Sequence, residues 1–241
     1  MAANQWAQAV RVALGIGRVL PLGGPADGSW ITEQAAAGVL RAAAGTPAGV
    51  HLGVLRLSVA DAARAPRPVV PAPPSALPPG PLRIEADFAT VADRPLTTVA
   101  DQVRTALLEA SVRELGLVVG VVDLQVSGLL DEGEVPSPPP AARTQGPRAT
   151  PVPDEGTGAA QEGPAGISAV ARGVPGVARL EAVLGGASRP VRCTDGHVLI
   201  QLATAPGYRA LDVSCAVRQA VAAAPAAPST VAVLVTAVEQ S

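Results

Sequence analysis

The cleanest alternation in the chain lies at residues 82 to 88. Leu82, Ile84, Ala86 and Phe88 fall on one side, Arg83, Glu85 and Asp87 on the other. A period of two predicts a strand with one face buried and the other wet or engaged by a partner. Val50 to Val59 also reads as a strand, but its phase shifts. Val50, Leu52 and Val54 alternate, then Leu55, Leu57 and Val59 do so one position out of step, which predicts a bulge near Val54. Val118 to Val126 gives a third strand, with Val122, Leu124 and Val126 set against Asp123 and Gln125.

Helical spacing fills the intervals. Trp6, Val10 and Leu14 recur every four residues until Gly15, Gly17 and the Pro21-Leu22-Gly23-Gly24-Pro25 run end the pattern. Ile31 to about Ala44 reads as an Ala-rich helix stopped by Gly45, Thr46 and Pro47. A helix capped by Thr97 or Thr98 carries the stripe Val99, Val103, Ala106, Leu107 and Ala110, and Gly116 closes it. Toward the C-terminus, Ile167 to Gly173 reads as a short helix and Val177 to Val183 as a strand. Val198, Ile200 and Leu202 mark a further strand, Tyr208 to Ala223 a helix, and Val231, Val233 and Val235 a last strand.

Two proline-dense stretches interrupt this order. Asp61 to Pro79 is too rich in proline to pair inside a sheet. From Asp131 to about Gly166, apolar periodicity vanishes and six acids face two arginines, the composition of a disordered acidic linker. The expected organisation is an N-terminal helix and Gly/Pro-rich lead (1–30), a first unit (31–130) with the insertion 61–79, the linker 131–166 and a second unit (167–241). The fold class is α/β: two small α-β-β-α-β units, each a three-stranded sheet packed by helices. Val99, Val103, Arg104 and Ala106 match Val213, Val217, Arg218 and Ala220 at one constant offset, which supports a duplication.

Composition narrows the function classes. Hydrophobic residues make up 48% of the chain but aromatics only 2%, so Val, Leu and Ala must build the core. All 18 basic residues are arginine, and the net charge of -2 offers no general attraction to nucleic acid or anionic lipid. No apolar run is long enough to span a membrane, and no signal peptide is evident at the start. The expectation is a soluble cytoplasmic protein.

The run Ile167-Ser168-Ala169-Val170 leading to Val174-Pro175-Gly176-Val177-Ala178-Arg179-Leu180, followed by Val213, Val217 and Arg218 and a Val-rich closing strand, resembles the alkaline shock protein family of Gram-positive bacteria. The likeness covers about 167 to 238 well. It covers 31 to 126 loosely, where Gly49, Val50, Val99, Val103 and Arg104 occupy the matching places and Pro47-Ala48-Gly49-Val50 replaces Pro-Gly-Val. The resemblance implies a small α/β fold and a non-enzymatic role in cell-envelope stress homeostasis. It further implies protein partners, a membrane-anchored one among them, self-association, and a place at the inner face of the membrane reached through that partner. The whole chain, with its Trp6 start and Pro-rich middle, also resembles actinobacterial proteins with the same two-unit layout, a likeness that implies no function.

Candidate chemistry is sparse. Cys193-Thr194-Asp195-Gly196-His197 places a thiol, a carboxylate and an imidazole within five residues, but Asp195-Gly196 between strands is the signature of a tight hairpin. Cys215 and His51 lie alone in a predicted helix and strand, so no metal set forms. Glu85 and Asp87 share one side of a strand and read as a solvated face. No catalytic residue, cofactor or metal is expected. Two other classes stay open. One is a KH-like regulatory or nucleic-acid-binding module, which the element order permits but which lacks a basic Gly-x-x-Gly loop. The other is an enzyme built on Cys193 and His197.

Overall fold

The computed structural model describes residues 17–45, 49–130, 164–184, 189–224 and 228–240. The predicted helix on Trp6, Val10 and Leu14 lies outside the described residues, as do Thr46-Pro47-Ala48 and residues 131–163 of the expected linker. The protein is a mixed α/β fold with two sheets, one of six strands and one of three.

The three-stranded sheet holds β3 (Val50–Val59), β4 (Leu82–Val91) and β5 (Val119–Leu130). Strand β3 runs antiparallel to β4, and β5 runs parallel to it. A parallel neighbour requires a crossover. Helix α2 (Leu96–Ala110) supplies it, ending in one π-helical turn, Ser111–Leu115. The alternation of residues 82 to 88 is realised: Leu82, Ile84, Ala86 and Phe88 are buried beneath the helices, while Arg83, Glu85 and Asp87 point outward. The predicted bulge also forms, as a register shift between Leu52 and Leu55. The cap differs from expectation. Helix α2 starts at Leu96, and neither Thr97 nor Thr98 caps it. Pro95 precedes the helix with φ -59°, already suited to a helix entry, and its carbonyl accepts from Val99 N–H at 3.2 Å.

The six-stranded sheet is assembled from both ends of the chain. It comprises β1 (Val19–Leu22), β2 (Ser29–Thr32), β6 (Val177–Leu180), β7 (Val191–Thr194), β8 (His197–Thr204) and β9 (Thr230–Val238). The order is β1-β2-β9-β8-β6, with β7 also on β8. Strand β6 is antiparallel to β8, and β8 is parallel to β9 through helix α4 (Ala210–Ala222), which follows α3 (Pro164–Arg172) in the chain. The sequence of helix, antiparallel pair, helix and parallel strand therefore occurs around each sheet.

The N-terminal hairpin is the departure. Residues 19–22 and 29–32 form β1 and β2, and β2 pairs in parallel with β9 near the other end of the chain. Alternation could not announce these strands, because all eight of their residues are buried. Pro21 fits because β1 is the edge of its sheet, where a missing N–H leaves no ladder bond unmade. Helix α1 (Glu33–Ala44) consequently begins two residues later than Ile31: Thr32 is extended, and its Oγ1 accepts from Ala35 N–H at 3.3 Å. The predicted strand from Val177 ends at Leu180 rather than Val183. The Gln201 side chain draws the chain aside there, accepting the Val183 and Leu184 N–H groups at 3.0 Å each.

Helix α1 packs against β3, β9 and α2, so one apolar core runs continuously between the two sheets. Ala36, Ala37 and Ala44 keep its buried side small. A second, smaller core lies on the opposite face of the six-stranded sheet, where Val19, Trp30, Leu199, Ala232 and Leu234 are covered by Val70 of the proline-rich excursion. That excursion forms no strand of its own, but it is tied down: Val69 N–H donates to Pro25 O at 3.1 Å and Leu77 N–H to Val19 O at 2.8 Å.

Candidate interaction face

Among the described residues the outer face of β3-β4-β5 has no comparable cover. Around an open depression of about 580 Å3 stand Val54, Arg56, Glu85, Asp87, Asp123, Gln125 and Ser127. The β3–β4 register sets Arg56 opposite Glu85, and the β4–β5 register sets Glu85 opposite Asp123 and Asp87 opposite Gln125. Arg83 pairs with Asp123 at 2.8 Å, both side chains being about half exposed. Such an exposed pair contributes at most about 1 kcal/mol. The bulge pushes Val54 out to 56% exposure and leaves Gly53 against the Asp87 carboxylate. The face therefore presents carboxylates, guanidinium groups and an amide on rigid strands, with one apolar side chain at its edge.

The sequence motif residues occupy positions that set turns and core. Gly49 and Gly176 both take positive φ, 78° and 89°, a conformation that disfavours a side chain. Each offers its carbonyl to the far end of the following strand pair: Val91 N–H donates to Gly49 O at 3.2 Å and Ala205 N–H to Gly176 O at 2.8 Å. Pro175 is exposed beside Gly176, and Val177 opens β6 half-buried. Val50, Val99, Val103, Val213 and Val217 are buried. The two arginines differ. Arg218 donates to the carbonyls of Val231 at 3.0 Å and Ala26 at 3.2 Å and to that of Asp27, tying α4 to β9 and to the β1–β2 loop. Among the described residues Arg104 makes only a surface pair with Asp101.

Cys193 and His197 lie on one hairpin but are not brought together. Cys193 stands opposite Val198, and Thr194 opposite His197, across the turn Asp195-Gly196, whose φ angles are 50° and 76°. Alternation of side chains puts Cys193 on the Val198 face and His197 on the other. His197 Nδ1 instead meets Thr230 Oγ1 at 2.8 Å. Burial pushes the Cys193 thiol up and the His197 imidazole down. A thiolate–imidazolium pair needs both shifts reversed. Cys215, on α4, is likewise raised, chiefly by burial and then by the Asp27 charge. Among the described residues no three His, Cys, Asp or Glu side chains converge as a metal site.

The residues of the depression that sequence reasoning passed over are Arg56 and Ser127. Arg56 lies past the bulge, and only the register shows that it joins Glu85. Each crossover carries a single helix, so the described residues hold no loop between helices of the Gly-x-x-Gly kind. Nor is any described helix long and apolar enough to cross a membrane. No family model, curated protein or solved structure matches the chain.

Proposed function

We propose that this chain is a non-catalytic structural or adaptor protein of the alkaline shock type, acting through protein–protein contacts in cell-envelope stress homeostasis. On this reading it is a duplicated α-β-β-α-β unit whose halves are joined by the Pro-rich segment 131–163, since the expected linker end 164–166 belongs to helix α3. A membrane-anchored partner then holds it at the inner face of the membrane. The observation that carries the reading is the polar face of β3-β4-β5, left uncovered among the described residues, since the corresponding face of the other sheet is covered from within the chain. The shared element order and the matched turns at Gly49 and Gly176 support the duplication. The opposite sheet faces of Cys193 and His197 count against a thiol enzyme.

The test is affinity purification of the tagged chain from its own cells, with and without nuclease, followed by separation of cytosol and membrane. Recovery of an integral membrane protein, indifferent to nuclease, is the expected result. A soluble assembly that nuclease disperses would overturn the adaptor reading in favour of a KH-like nucleic-acid module.

A further inference from the structure

The excursion between β3 and β4, residues 60–81, forms no helix and no strand of its own. Connections that long without secondary structure are uncommon and usually functional. Covering the six-stranded sheet occupies only one side of it. Val70 is 6% exposed and Pro73 is buried, and the hydrogen bonds to Pro25 and Val19 fix the backbone. The other side faces water, with Pro66, Arg67, Pro71, Ala72 and Pro74 exposed. Val69, at 70%, is the most exposed large apolar side chain among the described residues. Each proline fixes its own φ at about −65° and drives the residue before it to an extended conformation. Residues 65–68 and 71–73 are accordingly free of turns, and the chain bends between them at Val69-Val70. From Ala62 to Leu82 there are two arginines, Arg64 and Arg67, and no acid. Arg64 reaches Asp61 at 3.6 Å, and Arg67 has no ion-pair partner among the described residues.

We propose that this outer ridge is a docking site for a second protein, one whose groove is lined by aromatic side chains and rimmed by carboxylates. Proline-rich segments dock in aromatic grooves because their conformation is fixed before binding, so little ordering entropy is lost. Here the prolines and the anchoring through Val70 have already fixed it. Ala65-Pro66-Arg67-Pro68 supplies the extended segment, and Val69 at the bend supplies an apolar side chain beside it. Charge complementarity sets the rim, where Arg64 and Arg67 meet carboxylates. A second copy of this chain does not supply such a groove: among its described residues Trp30 and Phe88 are buried and Tyr208 stands alone. The ridge shares no residue with the polar face of β3-β4-β5. It is a contact beyond the adaptor reading, and either can fail without the other.

Photo-cross-linking in the protein's own cells tests it, with benzoylphenylalanine replacing Ala72 of the full chain and, as a control, replacing the exposed Arg113. The expected result is one protein species joined at position 72 and not at 113, its cross-linked peptide carrying Trp or Tyr together with Asp or Glu. Arg67→Glu should lower the yield about tenfold and Val69→Ser by a smaller factor. Both side chains are exposed, so the melting temperature should not change, and a loss of yield then reports contact rather than unfolding. No cross-link above the control, a cross-link to a second copy or to lipid, a joined peptide without an aromatic residue, or a yield indifferent to the charge at position 67 overturns the proposal. The Arg67→Glu chain should still recover the membrane protein in the purification above, which separates failure here from failure of the adaptor reading.

Discussion

The two sheets use the same strand senses and reach opposite ends. In the six-stranded sheet the strands β1, β2, β8 and β9 are largely dry on both faces, while β6 and β7 stay mostly exposed: helices cover one face, and Val70 of the proline-rich excursion closes over Trp30, Leu199 and Leu234 on the other. In the three-stranded sheet the helices cover one face and the other remains polar, with Arg56, Glu85, Asp87 and Asp123 in water. The residues facing outward decide this. Apolar side chains on a second face must find cover, because their burial is favourable by about 25 cal/mol per Å2. A charged face has no such drive, and among the described residues nothing covers it. The excursion leaves the chain between β3 and β4, yet covers the sheet to which neither belongs.

The largest effect should come from removing the side chain that anchors the cover. Trp30→Ala should cost about 3–5 kcal/mol in chemical denaturation, whereas Arg56→Ala on the bare face should change stability by less than about 0.5 kcal/mol. Similar losses from both would mean the two faces are not different in kind. Trp30→Phe should be milder than Trp30→Ala, since it keeps an aromatic ring in the site while removing, as Ala also does, an indole N–H that is buried without a hydrogen-bond partner among the described residues.

The matched glycines give the next contrast. A Cβ at Gly176 would stand 2.6 Å from Val213 and 2.7 Å from the Tyr208 ring. At Gly49 it would meet only the Val91 side chain, at 2.5 Å for one methyl. Both substitutions to Ala carry the left-handed backbone cost of about 1–2 kcal/mol. Gly176→Ala should add about 1–3 kcal/mol of overpacking and lower the melting temperature further than Gly49→Ala.

The matched arginines separate by a similar margin. Arg218→Ala leaves three carbonyls without their charged donor and should cost about 1.5–3 kcal/mol, while Arg104→Ala should cost under about 1 kcal/mol. Equal effects would remove the structural difference claimed for the two sites.

The smallest effect is one of pH. Burial lowers the His197 pKa, so the folded state binds fewer protons than the unfolded chain between the lowered value and the ordinary one. Its contribution is complete above the ordinary histidine range and is lost as pH falls through that range toward the folded value. His197→Gln should flatten this part of the stability profile between mildly alkaline and mildly acid buffer. An unchanged slope would assign it to other groups.

What the amino-acid sequence by itself determined is local. The alternation of Leu82 to Phe88, the phase slip before Leu55, the Asp195-Gly196 turn and the stripe on Val99, Val103 and Leu107 are each written within one or two turns or a single strand, and each appears in the fold. The outward face of Glu85 and Asp87 was legible for the same reason. Which strands meet was not. The β2–β9 pairing joins Ile31 to Val235 across nearly the whole chain, and the cover of Trp30 by Val70 joins a proline tract to a sheet beyond its neighbours. Arg218 and Arg104 share a helix position but acquire different work from what lies beside them. Short-range periodicity reflects which face of an element prefers apolar surroundings. Long-range pairing is selected by the total surface buried when all elements close together, a quantity that no single segment contains.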